Sequence, residues 1–160
     1  MKRRDFIRTS AAAVPMIGLF PADLSALPRK SEKGRIEKRA LGRTGEMLSV
    51  IGFGGIVVRD TSAEEASLMV KMAVDTGINY FDVAPQYGEG EAEVKLGPAL
   101  APHRKDVFLA CKTFERDRQG ADFELERSLE RLKTDFFDLY QLHCLEREVE
   151  VVAQVRAAEH

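Results

Sequence analysis

The stretch NYFDVAPQYGEGEAE, residues 79–93, decides the fold of this chain. It begins as a short apolar run of the kind that forms a β-strand and then breaks into Gly, Pro and acidic residues. Asp82 ends the run, and Tyr87 follows in the loop. A polar residue at the end of a buried-looking strand is typical of the carboxyl ends of parallel strands, where α/β proteins build their sites.

Outward from this stretch, strands and helices alternate along the chain. Residues 35–55 predict two short strands joined at 43–45, followed by a third apolar run that ends in glycines. Ser62 and Glu65 have capping-box spacing at the start of the next helix. Later strands are predicted at 78–83, 106–113 and 136–143, and helices at 61–77, 91–100 (disturbed by Pro98), 122–132 and 148–160.

A strand followed by a helix, four times over, implies parallel strands, because a helical crossover is how such strands are connected. The fold class is therefore α/β. The strands end in informative polar residues, namely Asp82, Lys112 and His143. Because residues two apart on a strand share a face, we expect Lys112 and His143 to converge at one rim of the sheet, and Asp82 to join them from the preceding strand.

The helix at 122–132 is expected to bury one apolar side. Its candidate core residues are Phe123, Leu125, Leu129 and Leu132.

The overall composition is that of an ordinary globular protein. The chain has 160 residues, of which 44% are hydrophobic and 31% charged, with a formal net charge of −2. No basic patch points to nucleic acid. The two cysteines, Cys111 and Cys144, are expected to be buried free thiols, since their number and spacing fit neither a disulfide framework nor a zinc site.

Residues 1–26 have the order of an export signal. Arg3 and Arg4 precede a modest Ala-rich apolar stretch and then the small residues Ser25 and Ala26, and paired arginines indicate the twin-arginine route. Alternatives are an amphipathic first helix or a membrane anchor, although the apolar stretch is shorter than the roughly 20 residues that span a bilayer. We therefore expect recognition by export machinery, a periplasmic location and no stable membrane span, with 27–34 as a polar linker.

The four polar residues Asp82, Tyr87, Lys112 and His143 make chemical sense as a group. A tyrosine hydroxyl, with a reference pKa of about 10, is a poor proton donor at neutral pH unless its anion is stabilised. A lysine ammonium near 4 Å supplies on the order of 4 kcal/mol at an effective dielectric of 20. A buried ammonium needs a counter-charge, which a carboxylate provides. Taken singly, each residue has another explanation as a helix cap, a turn residue, an exposed side chain or a structural histidine.

These segments resemble a known family. Residues 36–145 are similar to the N-terminal half of an aldo-keto reductase, and the resemblance is carried by 39–55, 79–91, 104–113 and 122–143. It implies that 35–160 form part of a TIM (β/α)8 barrel, namely the N-terminal hairpin plus about four βα units. It also implies a nicotinamide cofactor, usually NADP with NAD not excluded, and a small-molecule carbonyl substrate.

The resemblance implies a role for each residue of the group. Tyr87 would be the general acid that protonates the carbonyl oxygen, Lys112 would stabilise its phenolate, Asp82 would pair with Lys112, and His143 would orient the carbonyl through a hydrogen bond. Gly54 and Gly55, together with Asp82, would lie against the nicotinamide end of the cofactor. A tight strand-to-helix turn is an alternative explanation for the two glycines.

The family barrel needs about 250 residues or more. In the family, the contacts to the cofactor's amide, pyrophosphate and 2′-phosphate come mostly from later strands and loops. We therefore expect this chain to be the N-terminal portion of a longer reductase and to be inactive alone. Two alternatives are a non-catalytic nucleotide-binding regulatory module and a half-barrel that self-associates.

Overall fold

A computed structural model describes residues 34–145, which fold around a parallel sheet. The strands are β1 (Lys38–Ala40), β2 (Met47–Ser49), β3 (Phe53–Gly54), β4 (Tyr80–Asp82), β5 (Phe108–Thr113) and β6 (Leu139–Leu142). The helices are α1 (Ala63–Asp75), α2 (Glu91–Leu100) and α3 (Arg118–Leu132), with 3-10 turns at Gly55–Val58 and Ala101–Asp106.

Strands β1 and β2 form the predicted antiparallel hairpin. Gly42 and Gly45 take positive φ in its turn, and the Thr44 hydroxyl donates to the Leu41 carbonyl at 2.7 Å. The hairpin is joined to the start of β4 because the backbone N–H of Ser49 donates to the side chain of Asn79 at 2.7 Å. The turn glycines and Thr44 thus shape the hairpin, and the side-chain amide of Asn79 joins it to the start of β4.

Helix α1 begins as the sequence predicts. The Ser62 hydroxyl accepts from the backbone N–H of Glu65, and the Glu65 carboxylate accepts from the N–H of Ser62, which completes the capping box. The helix buries Ala66, Val70 and Ala73. Because these residues are spaced three or four apart, they form one face against the sheet.

The remaining strands form one parallel sheet in the order β3, β4, β5, β6. Asp82 is aligned with Gly54 on one side and Ala110 on the other, and Ala110 is aligned with Leu139. This register brings the carboxyl ends of the strands to the same edge. Phe81, Leu109 and Leu96 of α2 are buried in the apolar core, between the sheet and its helices.

Helix α3 differs from the prediction in its start and in its buried face. It begins at Arg118, and the Asp117 side chain caps it by accepting from the Gly120 N–H at 2.9 Å. Phe123 is 63% exposed. Of the predicted core residues, Leu132 is buried as expected and Leu125 and Leu129 are half-buried, and the other residues that α3 buries are Glu124 and Ser128. The apolar pattern was misleading because this face of α3 covers polar groups of β5 and α2, which need hydrogen-bonding partners.

One ion pair joins α2 to α3. Glu93 is fully buried, and its carboxylate lies 3.1 Å from the guanidinium of Arg131. Cys111 lies beside it, with Sγ 3.7 Å from Glu93 Oε1, and burial together with the Glu93 charge raises the pKa of this thiol to about 12. Cys111 is thus the buried free thiol expected, whereas the prediction is wrong for Cys144, which is exposed.

Several predictions lie outside the described residues. They concern the export signal at 1–26, the linker up to residue 33 and the helix at 148–160. No helix among residues 34–145 is both long enough and apolar enough to cross a membrane.

Candidate active site

The carboxyl ends of β4 and β5 bring Asp82 and Lys112 together, and the loop after β4 adds Tyr87. The Lys112 ammonium donates to Asp82 Oδ1, and it lies 3.2 Å from both the Tyr87 hydroxyl and the carbonyl oxygen of Val83. The Lys112 side chain is only 12% exposed. Three of the four residues predicted from the sequence therefore meet at the ammonium group of Lys112.

The surroundings of Lys112 keep it charged. Burial opposes the charge, but the hydrogen bonds to Asp82 and Tyr87 and the charge of Asp82 together outweigh burial, and the pKa of Lys112 is raised above its ordinary value. The Lys112 ammonium therefore carries a full positive charge at neutral pH, directly against the Tyr87 hydroxyl.

His143, immediately after β6, is the fourth predicted residue, and the structure places it beside Tyr87. Their ring centroids are 5.7 Å apart in an edge-on arrangement. The backbone of His143 is held on both sides, because its N–H donates to the Thr113 carbonyl at 2.8 Å and its carbonyl accepts from Arg116 at 2.7 Å. Burial and the nearby charge of Lys112 lower the pKa of His143, so its ring is neutral at pH 7.

The loop that carries Tyr87 has an unusual backbone. Tyr87 closes a turn by donating its N–H to the Ala84 carbonyl at 3.0 Å. Gly88, Glu89 and Gly90 then follow with φ values of 66°, 55° and 99°, all in the left-handed region. Only glycine adopts this region at little cost, which explains the glycines on either side of Glu89. Helix α2 starts directly afterwards, so Tyr87 is fixed between a strand end and a helix start.

The structure separates the two glycines predicted to contact a cofactor. Gly54 is exposed, is aligned with Asp82, and has nothing within 4 Å of the position that a Cβ would occupy. Gly55 is buried, and a Cβ there would lie 3.0 Å from Val83 and 3.1 Å from the Asp82 carbonyl oxygen. The backbone of Gly54 is thus open beside Asp82, whereas packing of the turn against β4 accounts for Gly55.

Three further polar side chains lie at the site, and the sequence patterns did not identify them as site residues. Tyr80 places its hydroxyl 3.4 Å from Asp82 Oδ2, and burial followed by the Asp82 charge raises the pKa of this phenol. Gln141 is aligned with Lys112, and its buried Oε1 has no hydrogen-bond partner among residues 34–145. It is therefore an acceptor available on the same face of the sheet, which fits an amide-bearing ligand.

Gln86 is the third of these groups, and it bridges two others. Its Oε1 is 2.9 Å from His143 Nδ1, and its Nε2 is 3.2 Å from Glu124 Oε1. Glu124 has the helical spacing of the buried face of α3, four residues before Ser128 and eight before Leu132. Because two of these three positions are polar, no apolar pattern in the sequence marks this face of α3 or points to Gln86.

Across residues 34–145, no three His, Cys, Asp or Glu side chains form a group that could hold a metal ion.

Comparisons with known proteins agree with this arrangement. Residues 50–160 match the sequence profile of the aldo/keto reductase family. L-galactose dehydrogenase of Arabidopsis thaliana is 39% identical over 126 residues, which are 70% of this chain and 39% of that protein. An aldo-keto reductase of Bacillus subtilis, YhdN, is 34% identical over 125 residues, which are 68% and 38% of the two chains.

The fold has solved counterparts as well. An aldo-keto reductase from Bacillus halodurans in its holo form superimposes with a TM-score of 0.61 and 31% identity, covering 78% of this chain and 46% of that one. The chain spans about two fifths of the length of the curated relatives named above, and its parallel sheet is part of the TIM barrel of these proteins. The match over residues 50–160 and the shared barrel together show that the chain belongs to the aldo/keto reductase family.

Proposed function

We propose that the protein is an NADP-dependent oxidoreductase that interconverts a small-molecule carbonyl compound and its alcohol. The observation that carries this proposal is the position of Lys112 Nζ between the Asp82 carboxylate and the Tyr87 hydroxyl. An ammonium beside a tyrosine hydroxyl helps the hydroxyl to give up its proton, and carbonyl reduction requires a proton at the carbonyl oxygen.

Each side chain has a defined part in the proposed reaction. Tyr87 gives its hydroxyl proton to the carbonyl oxygen, and the Lys112 ammonium stabilises the phenolate that forms. Asp82 neutralises the buried ammonium and fixes its position. When bound, the nicotinamide supplies the hydride for reduction or takes it up in the reverse direction.

The described residues fit such a cofactor in part. Gly54 leaves open backbone beside Asp82, and Gln141 Oε1 offers a free acceptor for an amide. The choice of NADP over NAD rests on the family resemblance alone. A titration of the complete protein with NADPH and NADH, followed by nicotinamide fluorescence, tests that choice, and tighter binding of NADH would overturn it.

Tyr87→Phe tests the function. In the complete protein, including any residues that follow position 160, we expect the variant to lose about 100- to 10,000-fold in kcat for aldehyde reduction, because only the proton donor is removed. Tyr140→Phe is the matched control, since the Tyr140 hydroxyl contacts the Ala121 carbonyl at 3.4 Å and the side chain of Thr113 rather than Asp82 or Lys112. Unchanged reduction by Tyr87→Phe would refute the proposal, and nucleotide binding without turnover in the wild type would favour a regulatory module.

We further propose that residues 1–26 direct export of the protein by the twin-arginine route. The paired Arg3 and Arg4 ahead of an apolar stretch support this. Replacing both arginines by lysine is expected to keep the protein in the cytoplasm, as measured by cell fractionation. An unchanged distribution would contradict the proposed route.

A further inference from the structure

The hydrogen-bond ladder between β5 and β6 stops at His143. The His143 N–H donates to the Thr113 carbonyl, as in a regular parallel ladder. The next bond of that ladder would join the His143 carbonyl to the backbone N–H of Glu115, but this N–H donates instead to the Thr113 hydroxyl at 3.0 Å. The carbonyl of His143 therefore needs another donor at the end of the sheet.

Arg116 is that donor. One of its guanidinium nitrogens, Nη2, donates to the carbonyl oxygens of His143 at 2.7 Å and Cys144 at 3.2 Å. The other, Nη1, donates to the carbonyl oxygen of Phe114 at 2.6 Å, with the Glu115 carbonyl oxygen 3.4 Å away. Because a planar guanidinium holds its donors in a fixed geometry, Arg116 ties the loop after β5 to the residues after β6.

The backbone of Cys144 has a conformation that suits two bonds to one nitrogen. An extended chain turns successive carbonyls to opposite sides, whereas a helical conformation of either hand turns them to the same side. Cys144 has a φ of 55°, in the left-handed region that residues other than glycine rarely adopt. The hydrogen bonds from Arg116 to the carbonyls on either side of this residue compensate for its strained backbone.

Arg116 also lies next to the ring that follows from this backbone. The imidazole of His143 is edge-on to the Tyr87 ring, with centroids 5.7 Å apart, and edge-on to the Phe114 ring at 6.4 Å. The guanidinium carbon of Arg116 is 5.3 Å from the centre of the Phe114 ring. Arg116 therefore holds the main chain of both His143 and Phe114, whose rings meet at this edge of the sheet.

We propose that Arg116 is a positioning residue, which fixes the His143 imidazole beside Tyr87 by joining the loop after β5 to the end of β6. Where it concerns catalysis, this inference rests on the proposed function. His143 is expected to orient the substrate carbonyl, and a ring on an unanchored strand end has the productive orientation in only a fraction of the molecules. Loss of Arg116 should therefore lower the rate through His143 and leave Tyr87 and the Lys112–Asp82 pair in place.

Hydrogen exchange tests this positioning without any catalysis. In Arg116→Met of the complete protein, we expect the backbone N–H of His143 to exchange about tenfold faster than in the wild type, as measured by NMR. The N–H of Phe108, which donates to the Asn79 carbonyl at the start of β5, is the internal reference and is expected to change less than about twofold. Unchanged exchange at His143, or equal acceleration at both positions, would overturn the proposal.

Two further variants separate the shape of the guanidinium from its charge. Arg116→Lys keeps the charge, but an ammonium is a point charge that does not span two loops, so we expect exchange at His143 to stay about fivefold faster than in the wild type. Arg118→Met, which removes an exposed arginine of α3, is the matched control and is expected to leave this exchange unchanged. Wild-type exchange in Arg116→Lys would contradict a role for the planar guanidinium.

A double-variant cycle links Arg116 to His143. We expect Arg116→Met to lower kcat for aldehyde reduction about tenfold in the wild type but less than about twofold in His143→Gln, because Arg116 acts through the imidazole that this background lacks. Equal losses in the two backgrounds would contradict the proposal. If the wild type shows no turnover, the proposed function fails, whereas hydrogen exchange still decides whether Arg116 positions His143.

Discussion

Lys112 and Asp82, from two neighbouring strands, form an ion pair that also reaches the catalytic candidate Tyr87. Their side chains are 12% and 25% exposed, and the Lys112 ammonium lies 3.2 Å from the Tyr87 hydroxyl. A pair so far removed from water affects both the stability of the sheet edge and the position of the phenol. It can therefore be tested in two independent ways.

Lys112→Met is expected to lower the free energy of unfolding by about 1–3 kcal/mol at pH 7, because it leaves the Asp82 carboxylate without its partner in a mostly buried place. Urea denaturation of the complete protein measures this. The control is Lys71→Met, which breaks an exposed pair with Asp75 and is expected to change stability by less than about 0.5 kcal/mol.

The pH dependence gives a second check on the same lysine. The pKa of Lys112 in the folded protein is raised above its ordinary value of 10.5. As the pH rises, Lys112 therefore loses its proton at a lower pH in the unfolded chain than in the folded protein. The stabilisation is fully present below pH 10.5 and is lost as the pH rises through the folded pKa. The wild type should therefore lose more stability than Lys112→Met between pH 9 and pH 12, and parallel curves for the two proteins would contradict this assignment.

Gly54→Ala and Gly55→Ala should have different effects. At Gly54 nothing meets the added methyl group, so we expect unchanged stability but weaker NADPH binding, measured by fluorescence titration. At Gly55 the methyl group meets Val83 and the Asp82 carbonyl, and we expect a loss of about 1–3 kcal/mol in urea denaturation. Unchanged NADPH binding by Gly54→Ala would remove Gly54 from the cofactor site.

Arg131→Met is expected to destabilise the protein by about 3–5 kcal/mol, because the fully buried Glu93 carboxylate loses its counter-charge. Thermal or urea unfolding measures the change. Arg118→Met, from an exposed pair with Asp122, is the control, with less than about 0.5 kcal/mol expected. The double variant Glu93→Gln with Arg131→Met should recover part of the loss, and a double variant as unstable as Arg131→Met would contradict the explanation by charge.

The sequence predicts the parts of the site that depend on strand ends. Asp82, Lys112 and His143 each follow or end an apolar run, and parallel strands bring such positions to one edge whatever the details of packing. The capping box of Ser62 and Glu65 is equally local, and the structure confirms it. These features depend on neighbours in the sequence or on a regular register.

Other features depend on contacts between distant residues. Gln86 and Glu124 are 38 positions apart, and nothing in either segment indicates that they meet. The rule that places apolar residues inside finds Leu132 on the buried face of α3, but it misses Glu124 and Ser128 and wrongly includes Phe123, which is exposed. Only the polar groups of β5 and α2 opposite that face explain the choice.

The left-handed backbone at residues 88–90 constrains how the protein can vary. A side chain at Gly88 would collide with Arg59, and one at Gly90 with the guanidinium of Arg131. In a saturation mutagenesis screen, we therefore expect most replacements at both positions to lower stability, because a side chain at positive φ is strained and would also displace the neighbouring arginine. Loss of function on replacing either glycine would come from the backbone conformation of the turn. Without the structure, the same result would wrongly be taken as evidence that Gly88 and Gly90 take part in the reaction.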